Sequence, residues 1–240
     1  MPGPDEPAPP AGGSSRRAPG NRDPANAAAR VPARLGWLQQ LGKAWTGWWW
    51  RWFCRLRVIG VQHLPASGPV IVAANHVSML DVPLVVVACP RPVAFMAHRG
   101  LFRGRVLSSA MRALGGYPVD PERRRDTGAL GFGIAVLEGG GVLGLFPEGT
   151  RSRGRPMGEF LPGAAWLSLR TGAPVIPCGI VGTEPPRGSG LCPWLRRRRI
   201  RIAFGPPILP AGAGGRTRGR ERVEALTAEV RAAVAALAIR

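Results

Sequence analysis

The feature that most constrains the fold is an alternation of short apolar runs with longer amphipathic stretches, which continues from residue 57 to residue 239. Short runs rich in Val, Ile and Leu predict strands, and apolar residues repeated every three or four positions predict helices. The predicted strands are 57–62, 69–74, 93–97, 117–119, 142–146, 175–180 and 200–204, and the predicted helices are 79–88, 106–114, 126–137, 163–171 and 217–239. Because strands that alternate with helices favour parallel pairing, we expect an α/β layered domain around a largely parallel mixed sheet.

The chain is predicted to have three parts. Residues 1–32 consist mostly of Pro, Ala, Gly, Ser and Arg and have no apolar periodicity. This tail has too few large apolar groups to offset the entropy of ordering, so we predict that it is disordered. It holds no apolar stretch of signal-peptide length, so export by that route is not expected. Residues 33–57 are predicted to form a helix, and residues 58–240 the main domain.

The predicted helix 33–57 contains six of the eight tryptophans of the chain. Its apolar residues recur at helical spacing from Leu38 to Leu56, while Arg51 and Arg55 fall on the opposite side. Tryptophan beside arginine is typical of a helix that lies in the headgroup region of a membrane. No part of the chain has the roughly 18 uninterrupted apolar residues of a membrane-spanning helix. We therefore predict an amphipathic membrane-surface helix; the alternative is a helix that packs its tryptophans on the domain.

The chain carries 33 basic and 14 acidic residues, a formal net charge of +19. Such an excess indicates an anionic partner: a phosphate-bearing ligand, an anionic membrane surface or nucleic acid. A composition rich in Gly, Pro and Ala can also raise the arginine content without any binding role. The arginine run 196–199 has no nucleic-acid recognition signature around it. We expect this run to lie near anionic lipid headgroups and expect no nucleic-acid partner.

The cysteines and histidines argue against a metal site. The four cysteines are widely separated and lack the paired spacing of a zinc site or a redox dithiol, which suggests a reducing compartment. Neither His63 nor His98 forms a ligand cluster with nearby Cys, Asp or Glu residues. We therefore expect no metal.

The first candidate site follows the predicted strand 69–74 and reads NHVSMLD over residues 75–81. Histidine takes and returns a proton near neutrality, and a carboxylate on its second nitrogen fixes the tautomer, so His76 is a candidate base and Asp81 its orienting group. Residues five apart lie about 140° apart on a helix, so the pair needs a loop that runs into a helix. Ser78 is the predicted N-cap, with Asp81 in the first turn. The alternative is a capping acid beside a buried histidine without chemistry.

The second candidate site follows the predicted strand 142–146 and reads FPEGTRS over residues 146–152. Loops beyond the carboxyl ends of strands form the ligand crevice of open α/β sheets, so this segment and His76 can share one site. Gly149 lets the backbone turn closely, and the planar guanidinium of Arg151 suits a phosphate. The alternative for this segment taken alone is a surface turn.

Together the two motifs resemble those of the glycerolipid acyltransferase family, and most of all its members that acylate 1-acyl-glycerol-3-phosphate. The resemblance covers about residues 57–208, because GGYPVD at 115–120 resembles the second block of the family and APVIP at 173–177 the fourth. The second block implies Gly116 and Arg123 as further acceptor contacts. The family usually has an arginine where Pro121 stands, and the sequence leaves open which of the following arginines replaces it.

The resemblance implies acyl transfer from acyl-CoA or acyl carrier protein to the free hydroxyl of 1-acyl-glycerol-3-phosphate, giving phosphatidic acid in phospholipid biosynthesis. In that reaction His76 and Asp81 are the catalytic pair. The acceptor phosphate is bound by Arg151, with Glu148, Gly149 and Thr150 shaping its loop. No cofactor is implied, since the acyl donor is a co-substrate.

The implied location is the cytoplasmic face of the cell membrane, with the enzyme attached peripherally to anionic lipid beside its lysophospholipid acceptor. Another lysolipid or glycerol-3-phosphate is the alternative acceptor. The alternative from another class is a non-catalytic basic protein that binds membranes or nucleic acid.

Overall fold

The computed structural model describes residues 47–48, 50–52, 54–102, 104, 108, 115–119, 127–152, 155–184, 199–210 and 219–239. The strands in these ranges are β1 (Arg57–Ile59), β2 (Val70–Ala74), β3 (Val93–His98), β4 (Gly116–Val119), β5 (Val142–Leu145), β6 (Val175–Val181) and β7 (Arg201–Phe204). The longer helices are α1 (Asp81–Ala88), α2 (Thr127–Glu138), α3 (Gly163–Thr171) and α4 (Gly219–Leu237). Short 3-10 turns lie at Val61–His63 and Arg99–Phe102.

The strands form one sheet in the order β1-β7-β6-β2-β5-β3-β4. Strands β6, β2, β5, β3 and β4 are parallel, whereas β7 is antiparallel to β6 and parallel to β1. The predicted α/β fold with a largely parallel mixed sheet is confirmed. Strand β2 lies between β6 and β5, and all five of its residues are buried. A continuous apolar run is what a strand covered on both faces requires.

Two apolar clusters cover the two faces of the sheet. Alternate residues of β2 enter different clusters: Val70 and Val72 pack with α1, while Ile71 and Ala73 pack with α2, α3 and α4. This alternation follows from the two-residue period of a strand. The sheet is therefore the middle layer of three.

The predicted elements agree closely with those of the described residues. The largest difference is in the first strand, which ends at Ile59 because Gly60 adopts a positive φ of 75° and a 3-10 turn follows. A side chain at Gly60 would collide with the backbone carbonyl of Phe204, so only glycine fits there. The predicted helix 106–114 and the predicted disordered tail lie outside the described residues.

Nine residues of the tryptophan-rich segment 33–57 are described, and the five helical ones are 47, 48, 50, 51 and 52. Residues 54–56 are not helical and Arg57 begins β1, so the predicted end of the helix at residue 57 is wrong. Trp50 is buried in the cluster on the α1 face of the sheet. Trp48 and Trp52 are 59% and 68% exposed, and their rings stack with centroids 6.0 Å apart. Of the three described tryptophans of this segment, the packing alternative holds for Trp50. The attachment of the segment to a membrane surface stays a prediction. Within the described ranges, no helix has both the length and the apolar character needed to cross a membrane.

Candidate active site

His76 and Asp81 lie at the carboxyl edge of the sheet, where the chain leaves β2 and enters α1. Nδ1 of His76 is 2.9 Å from Oδ2 of Asp81. The Asp81 side chain is fully buried, whereas that of His76 is 17% exposed. A carboxylate can only accept, so Nδ1–H is the donor and Nε2 carries the lone pair. Nε2 is thus left as a proton acceptor. The pair is brought together by a loop that runs into a helix, as predicted.

Asp81 holds the loop as well as the histidine ring. Its Oδ2 also accepts hydrogen bonds from the backbone N–H groups of Val77, at 2.6 Å, and Ser78, at 2.7 Å. These donors and the helix N-terminus stabilise a buried negative charge. The predicted N-cap at Ser78 is wrong: the residue before α1 is Leu80, and Oγ of Ser78 only accepts its N–H at 3.2 Å. A turn closed by the N–H of Asp81 on the carbonyl of Ser78, at 3.3 Å, precedes the helix, so the helix itself begins only at Asp81.

Asn75 anchors the end of β2 to β6. Its carboxamide donates to the carbonyl of Ile180 at 2.9 Å and accepts the N–H of Ile180 at 2.7 Å. The side chain is buried and continues the pairing that joins Ala74 to Cys178 in the strand ladder. Because the amide replaces a backbone peptide in the ladder, the main chain can turn out of the sheet at His76. Sequence reasoning missed this role; the signal was an amide directly after an apolar strand.

The loop after β5 forms hydrogen bonds with the backbone N–H and carbonyl of His76. Oε1 of Glu148 accepts the N–H of His76 at 2.8 Å, and Oε2 accepts the N–H of Gly158 at 3.1 Å. The N–H of Ser152 donates to the carbonyl of His76 at 2.8 Å. The two motifs therefore lie side by side, as the topology of a parallel sheet leads one to expect.

Gly149 turns this loop with a positive φ of 67°. The positive φ is what favours glycine here, because the atom nearest to an added Cβ, Cδ1 of the exposed Leu161, can move aside. Thr150 and Arg151 follow and are exposed. The guanidinium of Arg151 is therefore available to a ligand at the edge where His76 lies.

An aromatic stack supports the His76 ring. The rings of His76 and Phe146 are stacked with centroids 4.2 Å apart, and Phe95 lies 5.7 Å from Phe146 on the same stack. An aromatic face attracts a cation, so Phe146 would favour the imidazolium that forms when His76 takes a proton. Sequence reasoning did not assign this role to Phe146, although the residue opens the second motif.

Gly116 is not brought to His76. It pairs with Phe95, Phe95 pairs with Gly144, and Gly144 pairs with Val72, so the four form one row across the sheet. His76 lies beyond the end of β2, whereas Val72 is in its middle. Gly116 is therefore both three strands away and short of the carboxyl edge. The predicted contact Arg123 lies outside the described residues.

Cys178 lies in β6 close to Asp81. Burial raises the pKa of the Cys178 thiol well above its usual range, and the nearby Cys89 and Asp81 raise it further. A thiol of this kind stays protonated near neutrality and is a poor nucleophile. The buried Cys178 is therefore not a candidate acyl-enzyme nucleophile. In the described part of the chain, no group of three His, Cys, Asp or Glu side chains could hold a metal ion.

The family profile described as Acyltransferase matches residues 55–181, more than half of the chain. The chain belongs to the acyltransferase family. The matched range of this acyltransferase holds both motifs and all the strands from β1 to β6. The sequence resemblance to glycerolipid acyltransferases is thereby confirmed.

Several relatives of this acyltransferase carry the name 1-acyl-sn-glycerol-3-phosphate acyltransferase. The 1-acyl-sn-glycerol-3-phosphate acyltransferase of Arabidopsis chloroplasts is 29% identical over 160 residues, covering 65% of this chain and 44% of the relative. The Bacillus subtilis enzyme of that name is 27% identical over 176 residues, covering 72% of this chain and 82% of the relative. This chain spans about half the length of several relatives that it matches.

The acyltransferase also resembles a solved structure. The crystal structure of the 1-acyl-sn-glycerophosphate acyltransferase from Thermotoga maritima is 25% identical in sequence, with a TM-score of 0.59. The superposition covers 86% of this chain and 85% of that chain. The similarity therefore extends over the whole layered domain and is not confined to the two motifs.

Proposed function

We propose that this acyltransferase transfers an acyl group to the free hydroxyl of 1-acyl-glycerol-3-phosphate and so produces phosphatidic acid. The observation that carries the proposal is the pair of His76 Nδ1 and Asp81 Oδ2, 2.9 Å apart, beside the exposed Arg151. The pair supplies a proton acceptor, and the arginine supplies an anion contact. The names of the relatives point to the same substrate.

The catalytic cycle needs one proton relay. Nε2 of His76 takes the proton of the acceptor hydroxyl as its oxygen attacks the thioester carbonyl of the donor. The ester bond forms, the bond from carbon to sulfur breaks, and the proton returns from Nε2 to the departing thiolate. Positioned proton transfer by Nε2 of His76 is worth about 10²- to 10⁴-fold in rate. Asp81 keeps the tautomer and offsets the charge of the imidazolium. The step needs no cofactor and no acyl-enzyme.

The acceptor phosphate is placed on Arg151. A guanidinium donates two parallel hydrogen bonds to a phosphate and keeps its charge at any physiological pH. Gly149 and Thr150 expose this side chain by turning the loop at the site edge. The donor is acyl-CoA or acyl carrier protein, either of which presents the thioester that the mechanism requires.

The enzyme is proposed to attach peripherally to the cytoplasmic face of a membrane, where its acceptor and product partition. Support comes from the net charge of +19 and from the exposed stack of Trp48 and Trp52. Tryptophan rings anchor at the headgroup level, and each nearby arginine adds about 1 kcal/mol at an anionic surface. A non-catalytic membrane-binding protein would need no intact pair of His76 and Asp81.

The decisive experiment combines the purified chain with labelled oleoyl-CoA and a panel of acceptors that differ only in headgroup. The panel holds 1-acyl-glycerol-3-phosphate, the choline, ethanolamine and glycerol lysolipids, and glycerol-3-phosphate. We expect labelled phosphatidic acid as the main product, with oleoyl-acyl carrier protein as the parallel donor. A different labelled product would correct the acceptor. A folded protein that acylates nothing on the panel with either donor would contradict the proposal.

A further inference from the structure

We propose that Glu148 is a positioning residue that aims His76, and that it is not an acceptor contact as its motif suggested. The inference rests on the proposed acyl transfer for its kinetic consequence and on geometry for its cause. Glu148 lies 72 residues from His76 in sequence, yet its carboxylate accepts a hydrogen bond from the backbone N–H of His76. The role concerns the free enzyme, before any substrate arrives.

Both carboxylate oxygens of Glu148 are engaged within the protein. Oε1 accepts the His76 N–H at 2.8 Å, and Oε2 accepts the Gly158 N–H at 3.1 Å. Two N–H donors from two separate segments thus converge on one carboxylate, and the shorter of the two hydrogen bonds is the one to His76. Glutamine has one acceptor oxygen and would turn its own NH₂ toward the second donor. Alanine leaves both N–H groups without this partner.

The His76 peptide is held at both ends by one loop. Glu148 binds its N–H, and the N–H of Ser152 binds its carbonyl at 2.8 Å. With both peptide groups fixed, the direction of the bond from Cα to Cβ is fixed too. The ring is then held between Asp81 and Phe146. Its Nδ1 is 2.9 Å from Oδ2 of Asp81, and its centroid is 4.2 Å from that of the Phe146 ring. Removing Glu148 frees the N–H end of His76, so the ring meets Asp81 from a main chain that can move, and the Nδ1–H contact is no longer held continuously.

The same loop carries Arg151 between its two attachment points. Glu148 and Ser152 therefore set the separation between the catalytic base and the residue proposed to bind phosphate. An acceptor held by Arg151 has its hydroxyl at Nε2 only if that separation is kept. A misplacement of 1 Å can cost about 10²-fold in rate, so loss of Glu148 should lower kcat far more than it changes the KM for the acceptor.

The first test reads the histidine without substrate. The chain has three histidines, so the imidazole nitrogen–proton correlation spectrum is simple, and the His76→Ala variant assigns the His76 signals. We expect the wild type to show His76 protonated at Nδ1. Glu148→Ala should lose this signature to tautomer exchange, Glu148→Gln should lose part of it, and Glu159→Gln, an exposed neighbour, should keep it. An unchanged His76 signature in the folded Glu148 variants would overturn the proposal.

The second test is kinetic and uses the same variants. We expect kcat to fall about 10- to 100-fold in Glu148→Ala and less in Glu148→Gln, with the acceptor KM within about threefold of wild type. A raised acceptor KM at unchanged kcat would return Glu148 to substrate binding. If the Ala variant fails to fold, the Gln variant decides by the same criteria. If wild type acylates none of the acceptors, the proposed function fails, and the imidazole spectra alone decide the role of Glu148.

Discussion

At the residue scale, one carboxylate oxygen carries much of the candidate site. Oδ2 of Asp81 accepts from His76 Nδ1, Val77 N–H and Ser78 N–H, while in the described part of the chain Oδ1 accepts no hydrogen bond. An asparagine can therefore place its amide oxygen where Oδ2 lies and its NH₂ where Oδ1 lies. Such a replacement keeps the acceptor for the loop and removes the charge, and it places the NH₂ at the buried Oδ1 position, where no acceptor is described.

Asp81→Asn should lower acyl transfer by about 10²- to 10⁴-fold, because the imidazolium loses its counter-charge while the loop keeps its acceptor. His76→Ala should lose at least as much activity, since it removes the base. The measurement is turnover beside the thermal midpoint of unfolding, which should stay within a few degrees of wild type for Asp81→Asn. Near-normal turnover in either folded variant would refute the catalytic pair.

Arg151→Ala should raise the KM for a phosphate-bearing acceptor by about 10- to 100-fold, the equivalent of a charge-assisted contact of about 1.5–3 kcal/mol. The donor KM should hardly change. Arg155→Ala is the matched control, an exposed arginine farther along the same chain segment. Steady-state kinetics with each substrate varied in turn provide the comparison. If the donor KM rises instead, Arg151 binds the acyl donor, and its assignment to the acceptor phosphate is wrong.

At the element scale, the tryptophan-rich segment divides its side chains between two environments. Trp50 enters the core on the α1 face, while Trp48 and Trp52 stack on each other and stay exposed. Exposed tryptophans four residues apart lie on one side of a helix, which is the geometry of an interfacial anchor. The same segment thus has a packing role and a candidate membrane role on different residues.

The two roles separate by mutation. The double variant Trp48→Ala, Trp52→Ala should lose binding to anionic vesicles and keep its free energy of unfolding. Trp50→Ala should instead lower that free energy by about 3–5 kcal/mol, as large-to-small core changes do. Vesicle co-sedimentation across salt concentration and urea denaturation measure the two effects, with Trp166→Ala on α3 as the control. Equal sedimentation of the double variant and wild type would place the membrane contact elsewhere.

At the scale of the whole molecule, the stability of the fold depends on the protonation of one buried thiol in the sheet. Cys178 in β6 is fully buried, and burial together with Cys89 and Asp81 raises the pKa of its thiol. A pKa that is higher in the folded state favours folding while the thiol stays protonated. That contribution is complete below the unfolded thiol pKa of about 8.5 and declines as the pH rises above it.

The wild type should therefore lose up to about 1.4 kcal/mol of stability per pH unit above roughly pH 8.5 from this group. Cys178→Ala lacks the thiol, so its stability should fall less steeply over the same interval. Urea unfolding of both proteins at pH 7.5 and pH 10 gives the comparison, since the cavity left by the substitution costs the same at each pH. Parallel losses in the two proteins would show that the thiol does not ionise with the unfolding transition.

The local patterns of the sequence determined the strands, the helices and the two motifs at strand ends, because periodicity and turn residues act over a few positions. His76 and Asp81 were found in this way, five residues apart in one segment. The apolar run 69–74 likewise predicted the strand β2, and the structure shows all five residues of that strand buried. These features need no knowledge of which strands are neighbours.

The tertiary structure alone decided which distant groups meet. The sheet order places β5 and β6 on either side of β2, so Glu148 reaches His76 across 72 residues and Asn75 reaches Ile180 across 105. It also placed Gly116 in a row short of the site, although its block lies among the motifs. Strand order depends on the burial of whole layers, and no local pattern encodes it. The surroundings of His76 therefore depend on the strand order of the assembled sheet, which only the tertiary structure shows.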